Sequence, residues 1–241
     1  MAIYVSDLIT RAQTILQDTT SQGIRWPREE LLGWLNDAYR EIVGLRPDAS
    51  SKYDTFVCVQ GTRQDLHRDG SGMIDAIQLL DVARNLGGNM GAIRKVDRVL
   101  LDDQRRTWHA EASTDSIEMW AQDPRSQREF FVYPPAKAGA QVEVLYSFAP
   151  ATHSSEGDGN GEIRLLDIFA NPILDFMLYR AYQKDVDYAA NDMRASVHYQ
   201  AVYNALGLQS QADERARMAT PEASPVRPVR PNRPNQSNPP S

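Results

Sequence analysis

The hydrophobic period of this chain changes twice, and that order constrains its fold more than any single motif. Apolar residues recur with helical spacing up to about residue 46, alternate with a period of two between residues 53 and 148, and return to helical spacing from residue 165. Neither a continuous helix bundle nor a continuous β-sandwich satisfies that order. It predicts an α+β fold: a helical bundle formed by N- and C-terminal helix pairs, with an inserted antiparallel β module and an extended Pro/Arg-rich C-terminal tail.

Val5, Leu8, Ile9, Ala12 and Leu16 form the first apolar stripe, behind Ser6 as N-cap, and Gln22 and Gly23 break it. Pro27 opens a second helix, because proline at the first helical position gives up an amide that has no partner there. Leu31, Leu35, Ala38, Ile42 and Leu45 line it, and Arg46 and Pro47 close it. Strands are predicted over 53–59, 92–98, 117–121, 129–133 and 141–148; the run 76–85 fits either period and is assigned to a strand. Pro134, Pro135 and Gly139 make the connection before the last strand. A short amphipathic helix over 99–108 turns Asp102, Asp103, Arg105 and Arg106 to water.

Helical spacing resumes at Leu165, with Leu174, Met177, Leu178 and Ala181 on one face and Pro172 in the first turn. Ala190, Met193, Val197 and Ala201 line a last helix that ends near Gly207. Each helix pair has one apolar stripe, so packing the pairs on one another covers both. The expected units are a helical platform (1–50 and 163–208), a β module (51–150), a Gly/Asp/Ser linker (151–162) and a docking arm (209–241).

Composition excludes several classes. A 241-residue chain with 24% charged residues and a mean hydropathy of −0.51 has the profile of a globular chain with enough length to bury a core. No basic segment leads into an apolar core at Met1, and no charge-free apolar run approaches the roughly 18 residues of a membrane span. The formal charge is −6; residues 219–241 carry +2, leaving −8 on the body, which argues against a sequence-reading nucleic-acid binder. Cys58, the single cysteine, falls in an alternating run and reads as a small buried hydrophobe, with a reactive thiol as the alternative.

Chemistry-bearing motifs are sparse. His67, His109, His153 and His198 contain no i, i+4 pair, and there is no phosphate-binding loop and no nucleophile elbow. No catalytic residue, metal ligand or cofactor is therefore assigned. The string 156–163, ending at Asp167, has the oxygen-ligand alternation of a calcium loop, yet glutamate stands first and aspartate last, the reverse of what such a loop needs. A Gly/Asp/Ser crossing is the better reading. Among the aromatics, Trp34, Tyr182 and Tyr199 are assigned to seams between copies, where such side chains bury large area at low entropic cost.

Six blocks carry a family resemblance: WPREELLGWLNDA (26–38), LLDVARN (79–85), AIRKVDR (92–98), LYRAY (178–182), DYA (187–189) and HYQ (198–200). They resemble head-to-tail adaptor proteins of short-tailed phages, over residues 1 to about 208. The resemblance implies a ring, usually of twelve copies, that joins the portal to the tail tube or nozzle and surrounds the channel for genomic DNA. It also implies a helical part packed side by side around the ring, a β part facing the tail, and a C-terminal extension reaching the portal. The expected location is the head–tail interface of the virion, with assembly in the host cytoplasm.

The arm can be read on physical grounds as well. Pro225, Arg227, Pro228, Arg230, Pro231, Arg233 and Pro234 repeat every three residues, matching the three residues per turn of a polyproline II helix. The arginines then line one edge about 9 Å apart, and proline reduces the entropy lost on docking. Two other classes stay open at this point: a cell-wall hydrolase using paired carboxylates, and a DNA-binding module.

Overall fold

The computed structural model describes residues 2–19, 25–68, 73–87, 90–185 and 189–219, with side chains described as far as residue 207. Among these residues the helices are α1 (Val5–Ile15), α2 (Arg28–Leu45), α3 (Arg98–Gln104), α4 (Ala170–Lys184) and α5 (Ala189–Ala219). The strands are β1 (Ser51–Val57), β2 (Gly61–Asp65), β3 (Ala76–Asn85), β4 (Arg94–Lys95), β5 (Met119–Gln122), β6 (Glu129–Ala136) and β7 (Gln141–Phe148). No described helix is long and apolar enough to cross a membrane.

All five stripe residues expected in α1 are buried. The helix begins one residue ahead of Ser6, because the Tyr4 carbonyl accepts from the Asp7 and Leu8 amides. After α1, the Asp18 carboxylate accepts from the amides of Arg25 and Trp26 at 3.0 and 2.9 Å, which aims the chain into α2. Pro27 is the residue before α2 rather than its first, and its carbonyl accepts from Glu30 and Leu31.

One apolar core draws on four helices, among them Leu8 and Ile9 of α1, Leu35 and Ile42 of α2, Ile173 and Met177 of α4, and Val202 and Leu206 of α5. Tyr182 meets His198, and Tyr179 meets Tyr199, so α4 and α5 run antiparallel. Two expectations for α5 are corrected. The helix passes through Gly207 and continues to Ala219. Its inward residues are Ala195, Val202 and Leu206, while Met193 and Val197 are 74% and 62% exposed. Met193 and Val202 are nine residues apart, half a turn round the helix, so the face that brings Val202 into the core turns Met193 outward.

The β half consists of two sheets with strand orders β1-β7-β3 and β2-β6-β5-β4. Every pairing is antiparallel except β4 with β5. Between the sheets lie Phe56, Val142, Val144 and Tyr146 from the first and Trp120, Phe130 and Val132 from the second. The outer face of the second sheet is covered too: Leu101 of α3 and Trp108 pack on Ala121, Phe131 and Tyr133. Strand β6 is thus buried on both sides, which explains its unbroken apolar run.

Strands β3 and β7 coincide with the sequence expectation, and β2 was not anticipated. The 92–98 strand shrinks to Arg94–Lys95, with Ala92 bridged to Arg84. The prolines expected in a connection lie inside β6 instead, at positions that pair with neither β5 nor β2; the register of β2 against β6 shifts across them, between Gly61 and Arg63, so no ladder bond needs their missing amides. The turn falls later, at Lys137 to Ala140, where Gly139 adopts φ +91. Cys58 is 2% exposed just beyond β1, and burial pushes its thiol up to about 12.

Candidate interaction surfaces

The segment from Ala149 to the start of α4 is anchored on the helical half by two side-chain clusters. In the first, the Arg28 guanidinium reaches the Glu156 carboxylate and the Gln13 side-chain carbonyl. In the second, Asn36 brackets His153, accepting from its amide at 2.8 Å and donating to its carbonyl at 3.0 Å. His153 Nδ1 lies 3.1 Å from the Asp158 carbonyl, an acceptor only, so that nitrogen donates. Nε2 then accepts from the Tyr39 hydroxyl at 3.1 Å, and the Tyr39 oxygen accepts the Arg164 amide. Burial and the Arg164 charge hold the His153 imidazole below its usual pKa, in keeping with this neutral arrangement.

These anchors account for the calcium-like string. Glu156 is committed to Arg28, and Asp158 accepts from the Ser154 amide and pairs with Arg164 at 3.4 Å. Among the described residues, no group of three or more His, Cys, Asp or Glu is placed to hold a metal.

Along most of its length the anchored segment presents polar residues and glycines outward, but its end presents two large apolar side chains. Leu166 and Ile168 are 66% and 60% exposed, and Tyr4 lies beside them through a bridge to Glu162. The groove there has a volume of about 490 Å³ and is floored by Ile3, Ile163 and Leu165. On α5, Met193 and Val197 form a second exposed apolar pair, and Val99 and Leu100 of α3 a third. Beside α3, a depression of about 710 Å³ carries Arg98, Asp102 and Asp123. Arg98 lies 3.5 and 3.7 Å from the two carboxylates and 4.4 Å from the centre of the Phe131 ring, and with Lys95 and Arg125 set against Asp97 the lining balances in formal charge.

A family model described as SU10 adaptor protein matches residues 4–229. The chain belongs to the SU10 adaptor protein family. The match identifies a phage structural adaptor and agrees with the head-to-tail resemblance of the sequence blocks. It also reaches further than residue 208. Pro225, Arg227 and Pro228 fall inside the matched span, and Arg230, Pro231, Arg233 and Pro234 lie beyond it. Comparison with curated proteins gives no match.

The seven arm residues of this adaptor lie outside the described residues. Trp34 is 9% exposed and belongs to the helical core. Tyr182 is partly exposed, stacked on His198 with ring centres 5.7 Å apart. Tyr199, also partly exposed, stands between Tyr179 and Tyr203 and donates to Glu41 at 3.2 Å. Burial and the Glu41 carboxylate push its phenol up to about 12, so it remains a donor at neutral pH. The sequence reading missed Leu166, Ile168 and Tyr203. A usable signal existed for the first two, since both lie next to Asp167 with no partner stripe to receive them.

Proposed function

We propose that this adaptor forms a closed ring, of about twelve copies, that joins the portal to the tail tube or nozzle and surrounds the DNA channel. The family match over nearly the whole body carries the reading. In it the helical part is the platform, packed copy against copy, and the β module faces the tail. The segment from Pro225 to Pro234 docks on the portal. Genomic DNA passes without sequence-specific contact, and the net charge of −8 on the body, which disfavours holding phosphate, supports this. Tyr182 and Tyr199 retain seam roles, whereas Trp34 is taken up by its own core. The complex belongs at the head–tail interface of the virion after assembly in host cytoplasm, and it requires no active site.

The deciding measurement is the mass of the purified protein alone and with its portal. Twelve copies of 27.1 kDa add about 325 kDa. No added mass, with both partners folded, overturns the reading and returns weight to hydrolase or DNA binding. Those are read out by cell-wall digestion and by salt-dependent duplex binding.

A further inference from the structure

The last helix carries an unusual run. From Ala195 to Ala212 there is no Asp, Glu, Lys or Arg in 18 residues, in a chain that is 24% charged and would place about four there. Core packing explains only the inward side. Ser196, Val197, Gln200, Tyr203, Asn204 and Gly207 are exposed, and their spacing places them along about three turns of one broad outward face, about 16 Å long. A water-facing helix surface is normally charged, and loss of charge marks the centre of an interface. The small residues in this set, Ser196 and Gly207, let another backbone approach closely.

We propose that this α5 face is the seam between copies, docking on the apolar shelf of Tyr4, Leu166 and Ile168 in the next copy. The proposal rests on the ring reading and specifies its contact. A ring requires two different patches on each copy, one meeting the other in the neighbour. The chain supplies such a pair: an uncharged ridge on α5 and a groove of about 490 Å³ before α4. Charge is confined to the margins. Asp192 and Arg194 are exposed just before the ridge, and Glu162 and Asp167 at the shelf, which is the polar rim of an interface with an uncharged centre. Tyr203, 46% exposed, is the largest side chain of the ridge and the one suited to enter the groove.

The test uses the full chain assembled on its portal. Val197→Cys is labelled with a photoreactive maleimide; buried Cys58 does not compete for the label. Equal amounts of heavy and light copies are mixed before irradiation. The expected products are heavy–light crosslinks joining position 197 to the 162–168 segment. A crosslink to the portal, to a tail protein, or from position 197 to position 197 overturns the seam. In a second arm, Val197→Glu keeps the native melting temperature and lowers assembly at least about tenfold. If Val197→Glu assembles like the native chain and no 197–168 product forms, the seam falls and the ring stands. If the native chain adds no mass to the portal, ring and seam fall together.

Discussion

The Arg28 guanidinium holds both oxygens of the Glu156 carboxylate, Nε to Oε1 at 2.7 Å and Nη2 to Oε2 at 2.6 Å, across 128 positions of sequence. This fork fastens the start of α2 to the segment that carries the chain from the β half to α4. Arg28→Lys keeps the charge and loses the parallel pair. Both partners are about a quarter exposed, which lowers the worth of the contact. A loss of about 1 kcal/mol is expected in urea unfolding at pH 7, and an unchanged midpoint would remove the fork from the account.

Acidification should weaken the fold through His153. Its folded pKa lies below the ordinary value of about 6.5, so between those two values the unfolded chain binds more protons than the folded one. The stability it contributes is complete above about pH 6.5 and declines as the pH falls toward the folded value. Melting curves from pH 7.5 to 5 should show the decline, and His153→Gln should flatten it. Equal slopes for native and variant would exclude His153 as the source.

Cys58 should resist labelling. With the thiol pushed up to about 12 and almost no exposure, the native protein at pH 8 should react with a disulfide reagent at least about 100-fold more slowly than the unfolded protein. Comparable rates would show that the pocket opens.

Trp108→Ala removes a fully buried ring whose indole donates to Asp102 at 3.0 Å and which packs edge-on against Phe131 and Tyr133. The cost expected is about 3–5 kcal/mol. Hydrogen exchange should accelerate first in α3 and in the 3₁₀ turn at Trp108, before the inter-sheet core. Uniform acceleration would mean that the outer layer is not a separate unit of stability.

Truncation after Ala219 tests the arm. Removing residues 220–241 should leave thermal unfolding unchanged while abolishing the mass gained on the portal. Normal assembly by the shortened chain would take the arm out of the mechanism.

The sequence was most legible where pattern and burial coincide. The α1 stripe, the closure of α2 at Arg46 and Pro47, and strand β7 follow directly from period and punctuation, whereas β3, whose residues fit either period, is fixed by its pairing with β7. Failures came where two faces compete. In α5, the residues at 193 and 197 are as apolar as those at 202 and 206, and only the position of α4 decides which pair turns inward. In β6, burial on both sides hides the alternation, and the prolines mimic a turn while occupying unpaired positions of a strand. The anchor residues Arg28, Asn36 and His153 were unreadable for a different reason: their partners lie more than a hundred positions away, and no local pattern encodes that meeting.

The β half also leaves and rejoins the helices at one place. Ser51 pairs directly with Ser147, and the Phe148 amide donates to the Ser50 carbonyl at 3.0 Å, so the outgoing and returning strands are neighbours. Chain ends that close can be joined by a tight two-residue turn. The β half is in this sense a cartridge. Exchanging it for another insert with the same strand spacing would leave the chain path of the helical half unbroken and would remove the one β3 side chain, Ile77, that packs on the helical core.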